Sequence, residues 1–146
     1  MTATTTAFTA CDWIVELDDD VGALKDISGS SSTVDVNFDN NIGEFRVFGN
    51  EWMTRIQCGK DGNFKIKGIA TTAADELRDL IENWFFTNPG LRTFNLSSPD
   101  GSTGGIRYAA EVHLKNFKFS GDAKSADPVM YDIELVPSGD VTRTVI

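Results

Sequence analysis

The segment GIRYAAEVHLKNFKFSG, residues 105–121, is the clearest indication of the fold class, because it alternates apolar and polar residues over the length of a long β-strand. In its first half the apolar side chains occupy every second position, whereas Phe117 and Phe119 fall on the opposite parity. One extra residue near Lys115 or Asn116, a β-bulge, restores the phase. The segment therefore predicts one continuous strand with a bulge near its middle.

Similar strand patterns lie on both sides of this segment and are separated by turn residues. They occupy residues 11–18, 32–38, 51–58, 63–70, 92–98 and 128–136. Between the third and fourth of them stands GKDG, residues 59–62, whose Asp-Gly pair is typical of a tight hairpin turn. The sequence therefore predicts a hairpin in which residues 51–58 pair with residues 63–70.

One helix is predicted, from Ala73 to Phe86. Its apolar stripe consists of Leu77, Leu80, Ile81, Trp84 and Phe85. Thr71 or Thr72 is placed to cap its start, and Glu76 to complete a capping box. The sequence Asn-Pro-Gly at residues 88–90 ends the helix.

These elements predict a mainly β fold, an antiparallel β-sandwich or barrel with one amphipathic α-helix closing one end or edge. The 146 residues form one domain, 1–146, large enough to bury a core without disulfides or metals. Residues 1–10 are predicted as a Thr- and Ala-rich N-terminal arm, and residues 137–146 as a polar C-terminal tail. Cys11 and Cys58 have no metal-site or redox spacing and are predicted to be reduced, structural thiols.

The composition argues against several classes of function. A formal charge of -9 opposes the phosphate neutralisation by which proteins hold nucleic acid. No apolar run approaches the length of a membrane span, and the N-terminus lacks the pattern of a signal peptide, which predicts synthesis in the cytoplasm. The lysines Lys60, Lys65 and Lys67 lack an aromatic stacking platform and are predicted to pair with acidic neighbours.

No catalytic residue, cofactor or metal is predicted. The acidic run Asp18 to Asp20 lacks the spacing of an EF-hand loop, and His113, the only histidine, accompanies no nucleophile motif. Glu111, Asp132 and Glu134 could be paired catalytic carboxylates. Basic groups share the nominal face of Glu111, so a mixed-charge solvated or channel face is favoured over a catalytic pair.

Residues 39–51, DNNIGEFRVFGNE, are predicted as a long loop with Asn and Gly at both ends. The loop encloses the apolar residues Ile42, Phe45, Val47 and Phe48. An exposed apolar loop more often binds a partner than faces water. The alternative, a loop folded onto its own subunit, stays open.

The order of these features resembles the tail tube proteins of long-tailed bacteriophages, which share a fold with the tube protein of type VI secretion systems. The resemblance spans nearly the whole chain and rests on order and spacing. It is carried by WIVELDDD (13–20), DISGSSSTVDVNF (26–38), Trp52, Ile56, Gly59, Lys60, Asp61, Gly62, Phe64, the single helix, Tyr108, Ala109, NFKFSG (116–121) and YDIELVPSGDVT (131–142).

The resemblance implies a structural protein that assembles with itself into hexameric rings, stacked around a channel for viral DNA. It implies inter-ring contacts through Ile42, Phe45, Val47, Phe48 and Phe8, and a channel face with Asp35, Glu111, Asp132 and Glu134. The implied partners are tape-measure, tail-tip or baseplate and terminator proteins, with DNA passing without specific binding. The implied location is the virion tail, after synthesis and assembly in the host bacterial cytoplasm.

Three other functions stay open. A related tail component, such as a terminator or a type VI tube, would share the fold but dock to other partners. A monomeric β-sandwich that binds carbohydrate or a host surface would form no polymer. A hydrolase is the weakest alternative, since no arrangement of nucleophile, base and stabiliser can be assembled from the sequence.

Overall fold

Eight strands and one α-helix make up the described part of the chain, which in this computed structural model comprises residues 13–98, 105–124 and 128–145. The strands are β1 (Ile14–Asp18), β2 (Leu24–Asp26), β3 (Ser31–Phe45), β4 (Thr54–Ile69), β5 (Arg92–Ser97), β6 (Ile106–Ser120), β7 (Met130–Pro137) and β8 (Thr142–Val145), and the helix is α1 (Leu77–Phe86). The predictions for Phe8, Cys11 and the N-terminal arm lie outside the described residues.

All eight strands join one antiparallel sheet, in the order β2-β1-β5-β6-β7-β4-β3, with β8 paired to β6. Strand β6 belongs to two halves of the sheet. Its first part, Ile106–Val112, lies beside β5 and β8, and its second part, Val112–Ser120, lies beside β7. The prediction of a mainly β, antiparallel fold with a single helix is confirmed.

The sheet curls around its own core. The rings of Phe64 on β4 and Phe94 on β5 lie 4.8 Å apart, although β7 and β6 separate these strands in the sheet. One helix face closes the core with buried side chains, namely Leu77, Leu80, Ile81 and Trp84. On β1 and β7 the buried side chains alternate as the period-two patterns of residues 11–18 and 128–136 predict.

The predicted bulge in β6 is confirmed. Pairing with β7 slips by one residue between Leu114 and Asn116. After the slip, Phe117 and Phe119 pair with Ile133 and Tyr131, which are buried core residues. The bulge therefore keeps both phenylalanines on the core side of the sheet.

The predicted Asp-Gly turn is wrong. Residues 59–62 lie in the middle of β4, which runs unbroken for 16 residues and pairs with β3 over nearly its whole length. Gly62 is needed for close packing, because a Cβ there would lie 2.9 Å from Cδ1 of Phe38. The long partner strand decides the conformation, and the pattern within β4 alone does not reveal it.

Two other boundaries differ from the prediction. Residues 39–45, predicted as part of a loop, belong to β3, so only residues 46–53 connect β3 to β4. Residues 142–145 of the predicted polar tail form β8, because β6 extends past β7 and offers a free partner edge to them.

The helix begins at Leu77, four residues later than predicted. Asp75 has a φ of 60°, in the left-handed region, which interrupts the helix before Glu76. Glu76 is the N-cap, and the N–H of Leu77 donates to Oγ of Ser30 at 3.2 Å. The Thr71 hydroxyl does bond to the Glu76 carboxylate. A tertiary contact to Ser30 therefore replaces the predicted local cap.

A polar network ties α1 to β7. The hydroxyl of Tyr131 donates to Oε1 of Glu82 at 2.7 Å, and Nη1 of Arg78 donates to Oε2 of Glu82 at 2.9 Å. Burial, together with the bond to Glu82, raises the pKa of Tyr131 to about 12. In the unfolded chain the phenol ionises near pH 10, so the folded state holds this proton more tightly.

Stability is expected to fall as the pH rises above 10, because the unfolded state then binds fewer protons than the folded state. Between pH 9 and pH 11.5 we expect the free energy of unfolding of Tyr131→Phe to fall by about 1 kcal/mol less than that of the wild type. Urea unfolding at each pH measures the free energy of unfolding. Tyr108→Phe, the same substitution at the other tyrosine, is the control. A Tyr131→Phe profile parallel to that of the wild type would contradict this role.

Candidate assembly surfaces

A two-stranded ribbon, residues 39–61, projects from the sheet. Strand β4 pairs with β7 only from Phe64 to Ile69, so its earlier residues pair with β3 alone. Two side-chain contacts cross the ribbon: Arg55 Nε to Glu44 Oε1 at 3.0 Å, and Gln57 Nε2 to Asn40 Oδ1 at 2.9 Å. At about 3.3 Å per residue, the paired part alone extends roughly 20 Å.

The ribbon carries large apolar side chains that contact water. They are Ile42, Phe45, Val47, Phe48, Trp52, Met53 and Ile56. Phe48 is fully exposed and Trp52 is 81% exposed. A two-stranded hairpin is only marginally stable alone in water, and this one exposes apolar groups on both faces. The ribbon therefore has the properties of a surface that a partner covers.

The four predicted loop anchors are all exposed on the ribbon. Ile42 and Phe45 have opposite parity in β3 and project from opposite faces, while Val47 and Phe48 lie in the connection. Sequence reasoning assigned Trp52 and Ile56 to a strand of the body and so missed them as surface groups. Their position in the sequence, next to a loop rich in exposed apolar residues, could have indicated that they also lie on the surface.

The four predicted channel residues share the outer face of the sheet. On neighbouring strands Asp35 lies opposite Lys65, and Lys65 lies opposite Glu134. Asn63 Nδ2 donates to Glu134 Oε1 at 3.0 Å. Glu111 lies farther along β6 and accepts a bond from the Thr93 hydroxyl.

This outer face carries both signs of charge. Asp132 lies between Lys67 on β4 and Lys118 on β6. Lys115 Nζ lies 3.7 Å from Glu134 Oε1. Lys65 and Lys67 therefore lie opposite acidic residues on neighbouring strands, whereas Lys60, for which an acidic neighbour was also predicted, lies opposite Asn40. The face is wet and close to balanced in charge rather than uniformly acidic.

A second apolar surface, the aromatic cluster, has the exposed rings of Phe85, Phe86 and Phe119 packed over the partly buried Phe117 and the buried Tyr131. The Phe85 ring lies 5.2 Å from that of Phe117, and the Phe119 ring lies 5.7 Å from that of Tyr131. Phe85, Phe86 and Phe119 are 54%, 73% and 61% exposed. Phe85, the last residue of the predicted apolar stripe, is not buried with the other four, because the helix ends beside the open part of β6.

Two free strand edges border one half of the sheet, which has the order β3-β4-β7-β6. Strand β3 is the last strand at its edge for all of its 15 residues. At the other side, β5 covers β6 only from Arg107 to Val112, so within the described ranges no strand lies beside residues 113–120 on that side. Free edges of this length invite pairing with another chain.

The described residues contain no group of three or more His, Cys, Asp or Glu side chains that could hold a metal ion. Across the same ranges, no helix has the length and apolar character needed to cross a membrane.

No protein-family model and no curated protein matches this sequence. Solved structures are similar in fold. The tail of an empty gene transfer agent particle, computed with C6 symmetry, matches with a TM-score of 0.75 at 14% identity, covering 94% of this chain and 99% of that one. The SPP1 tail tube matches with a TM-score of 0.65 at 11% identity. The match covers 96% of this chain and 80% of that one. A sheath/tube terminator of an extracellular contractile injection system matches with a TM-score of 0.66 at 18% identity. This match covers 97% of this chain and 99% of that one.

Proposed function

This chain has the tail tube fold, and we propose that it is a structural subunit of a phage-type tail tube, assembled as stacked hexameric rings around a channel for DNA ejection. It acts by assembly, with no catalysis and no cofactor. The tube is part of the virion tail and is built in the cytoplasm of a bacterial host.

The pair of different free edges on one half of the sheet carries this proposal. Pairing the outer edge of β3 in one copy with residues 113–120 of β6 in the next would remove both edges. Because the two edges differ, the contact is heterologous, and repetition closes a ring when the rotation is right. The inner surface of such a ring would be a continuous sheet.

The outer face of this half of the sheet would line the channel. It includes Asp35, Asp132 and Glu134, and Glu111 extends it along β6. Lys65 and Lys67 lie opposite carboxylates on neighbouring strands, which would weaken their attraction for phosphates. The overall charge of -9 acts in the same direction, so DNA would slide without adhering.

The ribbon would join one ring to the next through Ile42, Phe45, Val47 and Phe48, together with Phe8 of the N-terminal arm. At the ends of the tube the partners would be a terminator and a tail-tip or baseplate protein, with a tape-measure protein inside. Similarity to a sheath/tube terminator keeps a terminator role as the second candidate.

Negative-stain electron microscopy of the purified protein at rising concentration tests the proposal, first alone and then with a tail-tip or tape-measure partner. We expect six-fold rings and hollow tubes. Rings that never stack would favour the terminator role. A monodisperse monomer under every condition would contradict the proposal and favour a monomeric binding module.

A further inference from the structure

We propose that the aromatic cluster is the docking site for the tip of the ribbon, residues 46–53, from a second copy of this chain in the adjacent ring. The inference rests on the proposed function and adds to it the acceptor surface and the polarity of stacking.

The two surfaces lie at opposite ends of the same strand. The ribbon tip adjoins Thr54, where β4 begins, whereas Ile69 at its other end pairs with Met130, and Met130 pairs with Ser120. The aromatic cluster is next to this second end. At about 3.3 Å per residue, the 16 residues of β4 span roughly 50 Å. Copies arranged head to tail would therefore bring the tip of one against the cluster of the next.

The apolar area on the two surfaces is matched in size. An aromatic side chain buries about 200 Å² when covered, so the exposed aromatic side chains of the two surfaces would together bury roughly 750 Å². They are Phe48 and Trp52 on the tip and Phe85, Phe86 and Phe119 in the cluster. A stable pair of proteins needs at least about 1,200 Å². One contact is therefore too small to hold two subunits together, whereas six contacts between two rings are ample. The expected order of assembly is ring closure first and stacking second.

The cluster is held in place before docking. Tyr131 is buried and bonded to Glu82, and Phe117 packs between its ring and that of Phe85. Phe85 and Phe86 meet edge to face, 4.9 Å apart, so their remaining edges and faces stay available to further aromatic rings. Phe48 and Trp52 supply such rings on the tip.

Mixing two defective rings tests the inference. The tip variant combines Phe48→Asp with Trp52→Asp. The cluster variant combines Phe85→Asp with Phe86→Asp, which both lie on α1 and outside the β6 edge that closes the ring. Each variant alone is expected to form rings but no tubes. Their mixture is expected to form stacks of two rings and no longer assembly, because only one productive contact remains. Electron microscopy and sedimentation velocity measure the ring number, and Val21→Asp, which changes an 82% exposed side chain outside both surfaces, should stack like the wild type.

Disulfide cross-linking tests the same contact without charged substitutions. With Cys11→Ser and Cys58→Ser as background, Trp52→Cys together with Phe86→Cys is expected to give a covalent ladder beyond the dimer upon oxidation. Each single cysteine variant should stop at the dimer or below it.

The outcomes separate this inference from the proposed function. Normal tubes from the cluster variant, or a double-cysteine variant that gives no ladder, would overturn the inference and leave the tube intact. Loss of rings in a folded cluster variant would also overturn it, by placing the cluster at the lateral contact. A wild type that forms no rings would instead defeat the proposed function.

Discussion

Tubes are expected to disappear when Phe48→Asp and Trp52→Asp are combined, while the subunit itself stays folded. Both side chains are almost entirely exposed, so the folded monomer loses little packing, and its stability should change by no more than about 0.5 kcal/mol. In a stacked tube the same positions would bury unpaired carboxylates, each costing several kcal/mol. If the free energy of stacking is weakened by about 3 kcal/mol, the protein concentration needed for assembly rises roughly 100-fold.

Pelleting and electron microscopy measure assembly, and circular dichroism with thermal unfolding checks the fold. Phe45→Asp and Phe48→Asp as single changes should each weaken assembly in the same direction. Val21→Asp controls for one added exposed carboxylate. If the double variant formed tubes at the same protein concentration as the wild type, the ribbon would have no role in ring stacking.

The second large effect is expected from Gly68→Ala in the body of the protein. A Cβ at this position would lie 2.5 Å from Cδ2 of Leu77 and still closer to the carbonyl oxygen of Ser30. Both neighbours are buried, and Ser30 bonds the first N–H of α1, so neither moves without disturbing the start of the helix. We expect a loss of about 3 kcal/mol in the free energy of unfolding.

Urea unfolding measures the change, with a fall of about 10 °C in melting temperature as the thermal counterpart. Gly59→Ala is the matched control on the same strand, because a Cβ there meets nothing within 4 Å. Its stability should stay within about 0.5 kcal/mol of the wild type. If the two variants were equally stable, β4 and the start of the helix could move apart without loss of stability, which would contradict the prediction.

Local alternation predicted more of the fold than local turn chemistry did. The parity change in β6 predicted a bulge that the pairing with β7 confirms. The Asp-Gly pair at residues 61–62 predicted a turn that does not exist, since β3 pairs straight through it. A turn motif states a local preference, and a long ladder of hydrogen bonds to another strand overrides it.

Of the two candidate surfaces, the sequence predicted one and not the other. Phe45 and Phe48 were recognisable as exposed apolar residues because polar residues and glycines surround them in the sequence. The aromatic cluster was missed, because Phe86 and Phe119 are far apart in the chain and only the folding of α1 onto β6 and β7 brings their surroundings together.

The fold class, the positions of most strands and the apolar stripe of the helix could be predicted from the amino-acid pattern alone. These properties follow from side-chain periodicity, which acts between neighbouring residues. Three properties became visible only in the folded chain: the ribbon that β3 and β4 form, the free edges of the sheet, and the phenylalanines that remain exposed. Those properties depend on strand pairing and packing between distant segments, and no local pattern specifies the register or the partner of a strand.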